Sequence, residues 1–518
     1  MKSALLKILM KNESFNLQSF FSQNPFKTLK QPNKMLTKSN YLLGLQCHKL
    51  LHIAKNNKDR LPEVDISKQF IFDQGTEVGE LATKLYENGI DLSKEDFRSN
   101  LIKSKEAITK KQPIFEAGLI HNNCYSRADI LVPVEDEWDI IEVKSGTKVK
   151  DVNIHDVSFQ KYVYEGVGLK IRKCFILHLN NEYIRQGDLD INQLFKKTEI
   201  TSEVEELMKD IEERIEPMFN TINTEEPTVS IGKQCDDPYT CPVKKECWDF
   251  LPKHNVFHLS RGKNKAIELF EKGILELKDI PEDFKLTGKQ EIQRECHIND
   301  KPHIHKDKIK SFLNQLDYPL YYLDFETFST AIPKFDGLKP YSQVPFQYSL
   351  HVVKEEGAEA EHFEFLYDGS DDPRREFAEA LKDVLGDTGS IVVYNQSFEI
   401  SRIKELGVMY PEFKDWSEDV ISRVIDLLVP FREFAYYDSD QNGSASIKYV
   451  LPVLTGEGYS EMGIGSGTAA STEFYNSTYG DVSEGKKEEV RKHLLEYCKL
   501  DTLAEVLIVD KLREIVLL

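Results

Sequence analysis

The chain has 518 residues, 40% of them hydrophobic, with a formal net charge of −20 and a pI near 5.3. That length exceeds what one hydrophobic core serves, so two large domains and a connector are expected, and the acidic balance excludes a surface coated in basic residues for capturing nucleic acid. No run of about eighteen apolar residues occurs, which excludes an α-helical membrane span, and MKSALLKILM lacks the cleavage site of a secretory signal.

Residues 1–35 are expected to form a mobile leader in which Glu13 is the single acid before Met35, a candidate start. After it, Thr37 or Ser39 can cap a helix carrying Tyr41, Leu45 and Leu50. Phe72, Val78, Leu81 and Leu85 are spaced for one face of a second helix. Strands are predicted at 126–132, 138–143 and 174–179, with a helix over 155–165 between the last two, giving a mixed sheet with helical cover. Residues 202–220 read as a solvated amphipathic helix. Residues 253–312 read as a helical connector, in which AIELFEKGILELKDIP is either a helix-hairpin-helix unit or an ordinary helical hairpin. A second α/β pattern begins at LYYLDFETF, with strands at 320–325, 346–353, 362–367 and 390–394. Helices follow at 373–385, 399–407, 444–454 and 488–512, whereas 437–445 and 463–471 read as loops.

The segment DIIEVKSG carries the first chemical signal. Glu142 and Lys144 project to one side of a strand by its period of two, where Asp129 from the preceding strand can meet them. Carboxylates and an ammonium at one point suit a divalent ion with oxygen ligands, together with a lysine facing a phosphate. Glu116 precedes Asp129, and Gln160 and Tyr164 stand four residues apart on one helical face. This set, over residues 36–252, resembles the RecB-type PD-(D/E)XK nucleases, whose fold is restriction-endonuclease-like. The resemblance implies Asp129 and Glu142 as ligands of Mg²⁺ or Mn²⁺, Lys144 as the polarising lysine, and Gln160 and Tyr164 as the Gln-x3-Tyr signature that positions the strand. Many such enzymes carry a Gly-x3-His ligand on the early helix; here Gly75 is followed by Gly79, so that ligand is absent and Glu116 is the candidate to supply its charge.

Cys235, Cys241 and Cys247 are spaced six positions apart in a Pro-containing loop, and Cys47 stands alone near the start of the same region. Such a set binds metal through thiolates, either zinc or an iron–sulfur cluster. One distant cysteine plus a trio resembles the iron–sulfur nucleases of the CRISPR-adaptation and AddB kinds, which implies a [4Fe-4S] cluster stapling the two ends of the domain. Cys124, Cys174, Cys296 and Cys498 have no ligand-like spacing and read as small buried hydrophobes. A reducing cytoplasm fits this cysteine usage.

The second constellation lies in the C-terminal part. Asp324 and Glu326 share a strand face, Glu399 opens a helix after VVYNQSFE, and Tyr497 and Asp501 stand four apart on the final helix. Four carboxylates drawn from separate segments can hold two metal ions. The order resembles the DEDD exonucleases of the DnaQ-like superfamily in their tyrosine variant, over residues 318–510. That resemblance implies a ribonuclease-H-like α/β core, with Glu399 standing where the family has aspartate; Asp426 is either a further site acid or structural. Taken together, residues 36–518 resemble a bacterial family fusing a cysteine-cluster RecB-type nuclease to a DEDD-type exonuclease domain at 313–518. That resemblance implies the domain order and the cofactor type, but no substrate; the main expectation is a cytoplasmic metal-dependent nuclease, with single-stranded DNA ends as the expected substrate, in repair or defence. The rival readings are a nucleic-acid-binding scaffold with inactive sites and a redox-gated enzyme.

Overall fold

The computed structural model describes residues 35–459 and 462–517, so the expected leader lies, Met35 apart, outside the described residues. Two compact units are present. The first comprises the described residues up to Asp249 together with Thr330–Pro340, and the second comprises Phe250–Ser329 and the chain from Tyr341 onward. Both are mixed α/β, and no helix among the described residues is long and apolar enough to cross a membrane. Helices of eight or more residues are numbered here in chain order.

In the first unit a mixed sheet runs in the order β2 (Ile90–Asp91), β3 (Ile114–His121), β4 (Cys124–Val134), β5 (Glu137–Lys144), β6 (Ile171–Leu179), β7 (Phe195–Glu199), with β1 (Leu36–Thr37) parallel to β4. β5 and β6 are parallel, whereas β3, β4 and β5 form antiparallel pairs. Alternation along β5 sends Ile140 into a core with Tyr41, Phe159 and Val163, and Ile141 to the opposite face with Val78 and Ala82. Glu142 and Lys144 share the parity of Ile140. They therefore face the side covered by α1 (Lys38–Gln46) and α5 (Asp151–Gly166).

Thr37 caps α1 as its sequence predicts, accepting from the Asn40 N–H at 3.2 Å. The helix expected to continue through Leu50 instead breaks at Cys47, which is extended (φ −163°), and restarts as α2 (His48–Asn56). α3 (Ile66–Thr83) begins earlier than the apolar spacing implies, because Asp65 caps it. α4 (Phe97–Thr109) follows β2. The acidic segment at 202–220 is two helices, α6 (Thr201–Met208) and α7 (Ile211–Asn223), whose Val204, Ile215 and Met218 join the core.

The second unit contains the residues expected as a connector. After α8 (Lys263–Glu271) and a turn at Gly273 (φ +78°), only a 3-10 turn at Leu277–Asp279 forms, so the helix-hairpin-helix reading fails in its second helix. α9 (Gly288–Asn299) and α10 (Lys306–Leu313) flank β8 (His303–Ile304), which pairs with β14 (Tyr436–Tyr437). The five-stranded sheet has the order β11 (Glu361–Leu366), β10 (Val344–Val353), β9 (Leu320–Phe328), β12 (Ser390–Val393), β13 (Val424–Asp426). β9 is antiparallel to β10 and parallel to β12, which is parallel to β13. Tyr321, Leu323 and Phe325 pack under α11 (Arg374–Val384), α12 (Ser397–Met409) and α13 (Lys414–Ser422). Leu320 and Tyr322 point the other way, into a core with α14 (Ile447–Thr455) and α16 (Glu484–Leu517). Asp324 and Glu326 share that second parity and so lie against α16. The loop expected at 463–471 ends early: Ser466 caps α15 (Gly467–Tyr479), a helix concealed by its Gly, Ser and Thr content.

Candidate functional site

Asp324 and Glu326 on β9 meet Asp501 of α16 in the second unit. Among the described residues this trio is the one group of His, Cys, Asp or Glu side chains whose ligand atoms all lie within 4.8 Å of one another. The trio lines a cleft of about 480 Å³ with Glu399, Tyr497 and Glu505. Burial, followed by the charges of Asp501, Glu326 and Glu399, holds the Asp324 carboxyl well above the usual range. Glu326 and Asp501 are raised by burial too, with Asp501 acting on Glu326 and Lys448 opposing the shift at both. Burial pushes Glu399 up to about 8. Glu505, only 1% exposed, is likewise raised by burial and by Asp324, Glu399 and Asp501.

One oxygen each of Glu399 and Glu505 is buried without a hydrogen-bond partner. Clustered, partly orphaned carboxylates are costly unless a cation joins them, and an all-oxygen donor set suits a hard divalent ion. The residues present therefore fit Mg²⁺ or Mn²⁺. Tyr459 donates to Asp501 Oδ1 at 2.7 Å, and Lys448 stands about 5.4 Å and 5.3 Å from the ring centres of Tyr459 and Tyr497. Asp426 is structural: it accepts from the backbone N–H of Asn395 and Leu428, each at 3.0 Å, and fixes the strand end from which α12 starts.

In the first unit Asp129, Glu142, Lys144 and Gln160 converge, joined by Lys38 and Asp156, to which no motif points. Glu142, 1% exposed, accepts from Lys144 at 2.6 Å and Lys38 at 2.8 Å on Oε1, and from Gln160 at 2.6 Å on Oε2. Asp156 accepts from Lys144 at 2.8 Å and Gln160 at 3.0 Å. Asp129 takes the Val143 N–H at 2.7 Å and lies 3.7 Å from the Lys38 ammonium. Asp129 and Glu142, expected as metal ligands, are thus engaged by ammonium, amide and backbone groups, and this arrangement does not fit a divalent ion.

Glu116, expected to supply the charge of the absent histidine, pairs with Arg127 at 3.0 Å. It occupies the left-handed region (φ +60°) within β3, at a point where the register passes from Phe115 opposite Ile130 to Ala117 opposite Ala128. A non-glycine residue held there mid-strand marks a constrained position. Tyr164, expected to position a nucleic-acid strand, is fully buried. Its hydroxyl donates to the Ala117 carbonyl and accepts from the Ala128 N–H at 2.9 Å, inserted between these paired strands. Tyr164→Phe is expected to lower unfolding stability by about 1–3 kcal/mol through the unpaired backbone groups left behind, measurable by urea melting. An unchanged midpoint would remove this structural role.

Cys47, Cys235, Cys241 and Cys247 line one cavity with Lys49 and Lys244. Burial raises Cys241 to about 11, and the neighbouring cysteines add to it. Burial raises Cys247 as well, with Lys49 opposing. Cys241 and Cys247 therefore keep their protons unless a metal takes the protons' place. Four thiols on one cavity suit a metal held through thiolates, zinc or an iron–sulfur group. Cys124, Cys174, Cys296 and Cys498 are buried, as their spacing predicts.

Four further groups had a sequence signal or lacked one for identifiable reasons. Asp156 and Glu505 extend the Gln160–Tyr164 and Tyr497–Asp501 series by one more step of four residues, so helical spacing points to both. Lys38 and Lys448 reach their sites from the first turns of helices with no associated motif.

A model of a domain of unknown function, DUF2779, matches residues 321–446, a stretch that includes Asp324, Glu326 and Glu399 and ends before Asp501. The uncharacterized protein MG366 of Mycoplasma genitalium is 25% identical over 249 residues, 44% of this chain and 37% of that protein. The uncharacterized protein UU173 of Ureaplasma parvum serovar 3 is 25% identical over 207 residues, 36% of this chain and 30% of that protein. An MG366 homolog from Mycoplasma pneumoniae is 30% identical over 161 residues, 29% of this chain and 24% of that protein. The matched stretch therefore spans 24% to 37% of the length of these curated relatives.

Proposed function

We propose that this chain is a metal-dependent nucleic-acid phosphodiesterase, an exonuclease on single-stranded DNA ends, whose hydrolytic centre is the carboxylate cleft of the second unit. The observation that carries this reading is the approach of Asp324, Glu326 and Asp501 within 4.8 Å, backed by the orphaned buried oxygens of Glu399 and Glu505. The sheet order β11-β10-β9-β12-β13, with both acids on the central strand, supports a ribonuclease-H-like core.

A bound Mg²⁺ or Mn²⁺ would supply Lewis-acid charge to the phosphate and lower the pKa of water at the cleft. Asp324, Glu326, Asp501, Glu399 and Glu505 would hold it. Tyr497 lines the cleft and would orient the attacking water through its hydroxyl. Lys448, tied to the Gly465 carbonyl at 2.6 Å, would offset phosphate charge at the same wall. For the first unit, the engagement of Glu142 by Lys38, Lys144 and Gln160 favours a restriction-endonuclease-like module that binds nucleic acid without cutting. The four cysteines would hold a [4Fe-4S] cluster through thiolates, Lys49 and Lys244 balancing its charge. A cytoplasmic location in DNA repair or defence goes with that chemistry.

Digestion of 5′-labelled single-stranded DNA with Mn²⁺, using anaerobically purified protein, tests the reading. Wild type and Lys144→Ala are expected to cut alike, and Asp324→Ala to lose cleavage. Loss in Lys144→Ala alone would move the chemistry to the first unit. No cleavage by wild type would overturn the enzyme reading for DNA.

A further inference from the structure

We propose that the Lys38 ammonium is the resident cation of the first unit's carboxylate cluster and excludes a divalent ion from it. Lys38 Nζ lies 2.8 Å from Glu142, 3.7 Å from Asp129 and 3.9 Å from Asp156. A cation bound by those three acids would compete for this space. Counting every charge that faces the cluster, Asp129, Glu142 and Asp156 meet Lys38 and Lys144, while Glu116 is matched by Arg127. The cluster retains one net negative charge with Lys38 in place and two without it. Only the latter matches a divalent ion.

Local structure gives no other reason for a lysine here. Lys38 occupies the first position of α1, where the positive end of the helix dipole disfavours a cation. The acids outweigh both that cost and burial. Gln160 completes the arrangement by donating to Glu142 and Asp156, so every Glu142 oxygen is engaged before an ion arrives. The inference concerns ion occupancy, and rests on the nuclease reading only in taking Mn²⁺ as the relevant probe.

The test is Mn²⁺ binding followed by calorimetry and by the electron paramagnetic resonance of free Mn²⁺. It uses the full chain in an Asp324→Asn, Asp501→Asn background that silences the second unit. With Lys38 present no Mn²⁺ should bind at the first unit in the micromolar range. Lys38→Met should gain one equivalent with affinity at least about tenfold higher, Glu142→Gln added to it should remove that equivalent, and Lys38→Arg should behave as the parent. Equal binding with and without Lys38, or none by the Lys38→Met protein when circular dichroism shows it folded, overturns the proposal. If Lys38→Met disrupts folding, binding by Lys38→Arg decides: Mn²⁺ uptake by that protein overturns the proposal and its absence supports it. If Lys38→Met gains its Mn²⁺ equivalent while protein with an unaltered second unit cuts no single-stranded DNA, the inference stands and the nuclease reading falls, so the two failures are distinguishable.

Discussion

Asp324→Asn is expected to reduce Mn²⁺-dependent cleavage of single-stranded DNA by about 10³-fold, the rate equivalent of several kcal/mol of lost charge stabilisation. The same substitution is expected to raise the melting temperature of the metal-free protein. Asp324 lies among Asp501, Glu326, Glu399 and Glu505, and a neutral amide of the same shape removes repulsion that burial leaves unscreened. Mn²⁺ should therefore stabilise wild type much more than the variant. Activity retained within about threefold would sink the assignment of this cleft. A variant that loses activity and melts earlier without metal would show that Asp324 serves folding.

The second large effect is a stability that falls as pH rises. Glu399 has an ordinary value of 4.5 and stands at about 8 in the fold, so between these limits the folded state keeps a proton that the unfolded chain releases. Its contribution is complete below about pH 4.5 and disappears as pH passes through about 8, at about 1.4 kcal/mol per pH unit. Over roughly pH 6.5 to 8, metal-free wild type should lose stability by about that slope more than Glu399→Gln does. Saturating Mn²⁺ should flatten the difference, because the ion replaces the proton. Parallel urea-melting profiles for the two proteins across this range would contradict the buried, proton-holding state of Glu399.

Much of both units was legible because period-two patterning is strong in their strands. β5 and β9 place their acids on the face their parity dictates, and Tyr497 and Asp501 meet β9 because spacing of four on α16 keeps them on one side. The approach of Asp324, Glu326 and Asp501 followed from that pattern. What escaped has physical causes. Tyr164 reads as a substrate contact from its motif, but only three-dimensional packing reveals its hydroxyl between Ala117 and Ala128. Lys38 lies 104 residues from Glu142, so no local spacing could reveal their contact. The start of α15 was hidden because Gly467, Ser471 and Thr472 are weak helix formers, and Ser466 defines the helix only through its cap.

The break at Cys47 makes α1 a short rod with chemistry at both ends. Nine helical residues rising 1.5 Å each span about 13.5 Å, with Lys38 in its first turn and Cys47 as its C-terminal cap. A thiolate-bound group that fixes Cys47 to Cys235, Cys241 and Cys247 therefore also fixes the far end of the rod, and through it the ammonium against Glu142. Loss of that anchor would free a lever whose other arm sits in the acids. The occupancy of the thiol cavity and the ionic occupancy of the carboxylate cluster would then be linked through about two and a half turns of helix, in which Tyr41 packs its ring on Phe159 at 4.8 Å.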